Sequence, residues 1–182
     1  FAEAKGLQFQ ILGKRGIDHP EQELLFRSRV PGDWSFIYCN SEYESYKTLL
    51  DSEFVAGIDS TLLYEMFGRG KKTAFFTIRK SLIGIDSLKC PTFGYPEISD
   101  DSGPMWTNLC DFSEFERVME TLLASSDSEW TSIVNLYSPF VMNWDPGNES
   151  LVSALKPLGI PLELNSAIRL KRALNSAEST VV

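Results

Sequence analysis

The sequence predicts an α/β fold in which a parallel sheet is flanked by helices. The first eighty residues alternate short apolar runs with stretches of helical spacing, joined by short connections. The chain has 182 residues, 43% of them hydrophobic and 23% charged. That suits one globular domain with a real core, and is too short for two ordinary domains.

The elements follow in order. Phe1 to Lys5 ahead of Gly6 has the form of a last helical turn and its C-terminal glycine. The chain is therefore expected to be part of a longer protein. Leu7 to Leu12 (LQFQIL) reads as a first strand, bounded by glycines. Pro20 to Arg29 reads as a helix, with proline at its first position, acids early and arginines late. Trp34 to Cys39 is the second strand. Ser41-Glu42-Tyr43-Glu44 has the form of a capping box, and Tyr43, Tyr46, Leu49 and Leu50 recur behind it at helical spacing. Glu53 to Ile58 is the third strand, Thr61 to Arg69 a helix closed by Gly70, and Lys72 to Ile78 the fourth strand. Strands and helices alternating in this way make a Rossmann-like layer structure.

Residues 79 to 110 carry no sustained period and read as a long functional loop. Two helices follow. Ser113 with Glu116, and Ser126 with Glu129, are their expected capping boxes. Asp145-Pro146-Gly147-Asn148 is a turn, Leu151 to Leu158 a short helix, and 165–182 a peripheral tail. The whole, 1–182, is expected to be one domain.

Net charge of −8 argues against a general nucleic-acid binder. No apolar run approaches the roughly 18 residues of a membrane span. Cys39, Cys90 and Cys110 match no zinc spacing and read as buried, reduced thiols. A cytoplasmic setting is expected, with the inner face of the cytoplasmic membrane left open. No G-x-x-x-x-G-K-[ST] motif exists, and no G-x-G-x-x-G follows the first strand. Those absences exclude a P-loop enzyme and weigh against a dinucleotide oxidoreductase.

The informative stretch is "FVAGIDSTLLYEMFGRGKKTAFF", residues 54–76. A buried strand delivers Asp59, Ser60 and Thr61 to a helix start. Open parallel sheets bind ligands at the carboxyl ends of their strands. A helix start favours an anion through its exposed N–H groups and its dipole. Ser60 and Thr61 add donors for phosphate oxygens, and Glu65, one turn on, is placed to accept from ribose hydroxyls. The bland alternative is an ordinary helix cap. Asp59 repels phosphate and is expected to cap the helix or bond backbone groups. Lys14 and Arg15 end the first strand on the same edge and suit a phosphate or a sugar carboxylate, or else are a solvated pair. Lys71 and Lys72 fall at the opposite end and are expected to face solvent. Trp106 and Asn108 sit in the long loop, with Trp106 either stacking on base or sugar or filling core.

The stretch "GIDSTLLYEMFGRGKKTAFF" closely resembles the strand–helix–strand segment of bacterial surface-carbohydrate biosynthesis transferases with a GT-B fold. More loosely, Gly57, Ser60, Thr61, Glu65 and Gly70 resemble the donor-site pattern of GT-B glycosyltransferases. The stretches "GPMWTN", "FSEFERVM" and "DPGN" are similar to the same surface-carbohydrate family, and the likeness spans roughly residues 7 to 150. It implies that the chain is the C-terminal, donor-binding half of a capsule or lipopolysaccharide glycosyltransferase. The acceptor glycan or glycolipid would then be held by an N-terminal half. The resemblance further implies no bound metal or other cofactor, with the nucleotide-sugar as substrate. His19-Pro20 after the first strand resembles the His-Pro pair of transferases that use CMP-activated acidic sugars (Kdo or sialic acid), whose His lies near the phosphate. In the same enzymes a hydroxyl pair sits at a later helix start, as Ser60-Thr61 does. The histidine's bland alternative is a surface residue ahead of a helix-starting proline. Two other functions remain open from the residues: phosphotransfer from a CDP-activated polyol, and a non-catalytic Rossmann-like scaffold. No catalytic residue is assigned.

Overall fold

The computed structural model describes residues 1–41, 43–83 and 92–159. The chain divides into two compact units, Phe1–Met142 and Asn143–Val182. The expected tail 165–182 lies outside the described residues.

The first unit is α/β, with parallel strands and flanking helices. A 3-10 turn, Glu3–Lys5, ends at Gly6 in the left-handed conformation. Then come β1 (Gln10–Leu12), α1 (Glu21–Arg27), β2 (Ser35–Ile37), α2 (Glu44–Asp51), β3 (Val55–Gly57), α3 (Thr61–Gly68), β4 (Thr73–Phe76), α4 (Arg79–Ile83), β5 (Ser102–Gly103), β6 (Trp106–Thr107), α5 (Phe112–Ala124) and α6 (Asp127–Val141). Every strand and helix expected through residue 78 is present, in the expected order and somewhat shorter.

The strands do not form one ladder. β1 and β2 make a parallel pair, in register from Gln10↔Ser35 to Leu12↔Ile37. A second, four-stranded sheet has the order β3-β4-β6-β5. There β4 lies parallel to both β3 and β6, and β5 runs antiparallel to β6. The region read as a long loop therefore supplies two strands. β6 is two residues long, too short to show a period, yet both its residues are buried. Gly103 and Trp106 face each other across this hairpin. A Cβ on Gly103 would stand 1.9 Å from the indole, so only glycine fits there.

The core gathers on β4, all four residues of which (TAFF) are buried, as a central parallel strand covered on both faces requires. α3 contributes Leu63, Met66 and Phe67, at the i, i+3, i+4 spacing of one helical face. α5 contributes Val118 and Leu122, and α6 Trp130 and Val134. The Phe67 ring meets Phe75 and Trp130 edge-on, each at 5.9 Å. Burying each such side chain is worth about 1.5–3 kcal/mol.

The helix ends show which caps formed. The capping box of Ser126 and Glu129 is present. The N-cap of α5 instead lies two residues ahead of the expected serine, and Asp111 accepts from both the Ser113 N–H and its hydroxyl. α2 starts at Glu44 without a side-chain cap, and the Glu44 carboxylate takes the Asn40 N–H. Lys71 and Lys72 are not simply solvent-facing. Their ammonium groups donate to the Leu50 and Ser125 carbonyls, capping the chain where α2 and α5 end. Cys39 is half-buried, with its thiol 3.0 Å from the Gly13 carbonyl, whereas Cys110 is exposed and departs from the expected buried thiol.

In the second unit, α7 (Glu149–Leu155) runs into a 3-10 turn, Lys156–Leu158. The Asp145-Pro146-Gly147-Asn148 turn forms as expected. Asp145 caps the helix by accepting from the Glu149 and Ser150 N–H groups at 3.0 and 2.7 Å.

Candidate functional site

β3 and β4 are paired in parallel, with Gly57 opposite Phe75, so their carboxyl ends open on one edge. Two residues past Gly57 the backbone turns through Asp59, which holds a left-handed φ of 46°. A non-glycine residue pays a steric cost there, and such positions cluster at functional sites. The turn ends in Ser60, the N-cap of α3, whose side chain makes no capping bond. Among the described residues, neither the Ser60 nor the Thr61 hydroxyl has a hydrogen-bond partner, and both residues are exposed. Gly57 lies under the helix, where a Cβ would come within 3.0 Å of Leu63.

Asp59 does not cap α3. Its carboxylate forms an ion pair with Nε of Arg79 at 3.0 Å, and its side chain is 22% exposed. Burial pushes the Asp59 carboxyl up from its ordinary range, and Arg79 draws it part of the way back. Tyr64, one turn into α3, stacks on Phe93 at 5.7 Å. Its phenol is raised first by burial, countered by the Gly94 backbone and then raised further by Asp59. Neither Arg79 nor Tyr64 stood out in the sequence. The strand-end rule that found Asp59 after β3 finds Arg79 when applied to β4.

Glu65 turns elsewhere. Its carboxylate accepts the Tyr46 hydroxyl at 2.8 Å and ties α3 to α2. Trp106 corrects the base-stacking expectation. It is 2% exposed, stacked on Phe93 at 4.7 Å and met edge-on by Tyr137 at 5.1 Å, so no face is left for a base or sugar. Asn108 is likewise a clamp rather than a cleft residue. It is buried, accepts the Phe93 N–H at 3.1 Å and donates to the Asp100 carbonyl at 3.3 Å.

Lys14, Arg15 and His19 lie on the loop that leaves β1. His19 Nδ1 is 3.0 Å from Glu21, and Arg15 is 3.9 Å from the same carboxylate. Asp18 stands 3.6 Å from His19 Nε2. The Lys14 backbone N–H donates to Gln22. Asn40, after β2, receives the Ile17 N–H at 2.9 Å and closes this loop from the neighbouring strand. The Glu21 carboxyl is held below its usual range by its own backbone N–H first, then by His19 and Arg15. Among the described residues, no hydrogen bond or ion pair joins this loop to the start of α3.

A shallow open hollow of about 490 Å³ lies on α5, lined by Ser113, Glu116, Arg117, Glu120 and Thr121. There Arg117 is paired with Glu114 and Glu120 with Lys5. Among the described residues, no group of three or more His, Cys, Asp or Glu is arranged to hold a metal ion, and no helix is long and apolar enough to cross a membrane.

A Rossmann-like sheet with an unengaged hydroxyl pair at its carboxyl edge defines a candidate ligand-binding α/β protein. The family follows from comparison. Residues 1–158 match the model of a family described as "putative O-antigen biosynthesis protein", and the chain belongs to that family. No curated protein and no solved structure matches it.

Proposed function

We propose that this chain binds the nucleotide-activated sugar donor of a glycosyltransferase that builds bacterial surface polysaccharide. In this reading the chain is the donor half of a GT-B enzyme, and a second Rossmann-like half holds the glycan or glycolipid acceptor. One observation carries the proposal. At the carboxyl edge of β3, the Ser60 and Thr61 hydroxyls are exposed and, among the described residues, unengaged at the start of an eight-residue helix. Phosphate oxygens fit those hydroxyls, the first-turn N–H groups and the positive end of the helix dipole. The family's O-antigen description supplies the biological setting.

Holding the phosphate serves transfer in two ways. It fixes the anomeric carbon relative to the acceptor, and it stabilises the charge that grows on the leaving phosphate as the glycosidic bond breaks. CMP-activated acidic sugars are the first candidates, because the hydroxyl pair at a helix start resembles that of the transferases that use them. Calorimetric titration with CMP, CDP, UDP and GDP tests the reading, on wild type and on Ser60→Ala/Thr61→Ala. The proposal expects one nucleotide to be preferred and that preference to be lost in the double variant with the fold intact. Binding that is indifferent to the double variant, or no binding at all, would remove the donor site from α3.

A further inference from the structure

The carboxyl edge of β3 and β4 carries an ion pair that phosphate binding by Ser60 and Thr61 does not use. Asp59 meets Arg79 through Nε alone, at 3.0 Å, and the Arg79 side chain is 61% exposed. Among the described residues, the two terminal nitrogens of Arg79 have no hydrogen-bond or ion-pair partner. Arg117 behaves differently: its Nε and both terminal nitrogens are all engaged, by Glu114 and by the Gly103 and Trp106 carbonyls. Arg27 gives Nε and a terminal nitrogen to Glu23 and lies 4.0 Å over the Trp34 ring. Those two arginines are structural braces. Arg79 is held from behind, and among the described residues its fork is open.

The holding carboxylate is costly. Asp59 sits at a positive φ, and its side chain is 22% exposed. An exposed ion pair contributes little to stability. The arrangement therefore makes little sense as a stabilising contact, and good sense as a device that aims a guanidinium. A guanidinium edge presents two parallel donors and matches the oxygens of a phosphate or pyrophosphate.

We propose that Arg79 contacts the phosphate or pyrophosphate of the ligand through its terminal nitrogens, and that Asp59 is the positioning residue that aims it. The proposal deepens the donor reading and rests on it for the identity of the ligand. In a chain of net charge −8, this fixed cation draws an anion to the edge of the sheet where Ser60 and Thr61 wait.

The test titrates the full chain at low salt with pyrophosphate, CMP, CDP and UDP, with far-UV circular dichroism to confirm folding. Arg79→Lys keeps the charge and loses the fork, and should weaken binding of the preferred ligand about tenfold. Asp59→Asn tolerates the left-handed backbone and keeps an oxygen for Nε, so it should retain most of the affinity that Asp59→Ala loses. Because Asp59 acts through Arg79, Asp59→Ala should add little further loss in the Arg79→Lys background. Unchanged affinity in Arg79→Lys, with loss in Ser60→Ala/Thr61→Ala, would overturn the Arg79 assignment and leave the donor reading standing. Arg79-dependent binding of pyrophosphate, with no nucleotide bound more tightly, would keep the anion site and overturn the donor reading. No binding of any of the four to wild type would overturn both.

Discussion

Two strand–helix–strand units follow one another in this chain, and they differ in how they are covered. In β1–α1–β2, α1 buries no residue, and Leu24 and Leu25 are 67% and 52% exposed. Trp34, just ahead of β2, is the one core side chain of that unit. In β3–α3–β4, the helix buries three residues and β4 buries all four. Their strand ends differ in the opposite sense. The loop after β1 pairs its charges among themselves, His19 and Arg15 with Glu21. At the end of β3, among the described residues, the Ser60 and Thr61 hydroxyls and the Arg79 fork have no partner. The lesson is that the exposed hydroxyl pair sits on the well-packed unit, where fixed geometry can aim a group.

Truncation should separate the two units most sharply. Phe67→Ala removes a buried α3 ring that meets Phe75 and Trp130, and is expected to cost about 3–5 kcal/mol. Leu24→Ala in α1 should stay within about 0.5 kcal/mol. Urea denaturation of both variants measures the contrast, and similar losses would erase it. Asn108→Ala should come next, at about 1–3 kcal/mol, because it leaves the buried Phe93 N–H without its acceptor. Replacing Asn108 by Asp would show whether that acceptor oxygen is the part that matters.

Acid sharpens the comparison through carboxylates shifted in opposite directions. Arg117 holds the Glu114 carboxyl below its usual range, and hydrogen bonds from Ser113 and Ser126 do the same for Asp111 and Glu129. Such groups stabilise the fold above their unfolded values of 4.5 and 3.8, and that contribution is lost as pH falls through the lower folded values. Asp59 runs the other way. Its folded value is raised, so ionising it opposes folding increasingly as pH climbs from 3.8 through the folded value. Asp59→Asn should therefore be at least as stable as wild type at neutral pH, and should lose more of its stability on acidification. Thermal midpoints taken across pH 3 to 7 check both. A marked loss at pH 7 would mean that Asp59 serves the fold rather than the site.

Much of the fold was legible in the sequence, because the pattern of β3, α3 and β4 is strong: an apolar run, a helix closed by Gly70, and four buried residues in a row. Burial periodicity cannot reveal a two-residue strand, so β5 and β6 were hidden, and with them the split of the strands into two sheets. For the same reason Trp106 and Asn108 read as loop residues, when the hairpin seals one in the core and makes the other a clamp. Asp111 was overlooked as a cap because Ser113 and Glu116 mimic a capping box two residues further on. At the site, Ser60 and Thr61 were visible as a hydroxyl pair at a helix start. Arg79 was not, since only the pairing of β3 with β4 brings it to Asp59 across twenty residues of chain.

The most direct test of the central claim is to map amide shifts on the ¹⁵N-labelled chain while adding CDP or CMP. The account predicts that shifts concentrate at residues 57–65 and 77–79, with little change from Lys14 to His19. Shifts confined to the loop after β1, or none anywhere, would contradict it.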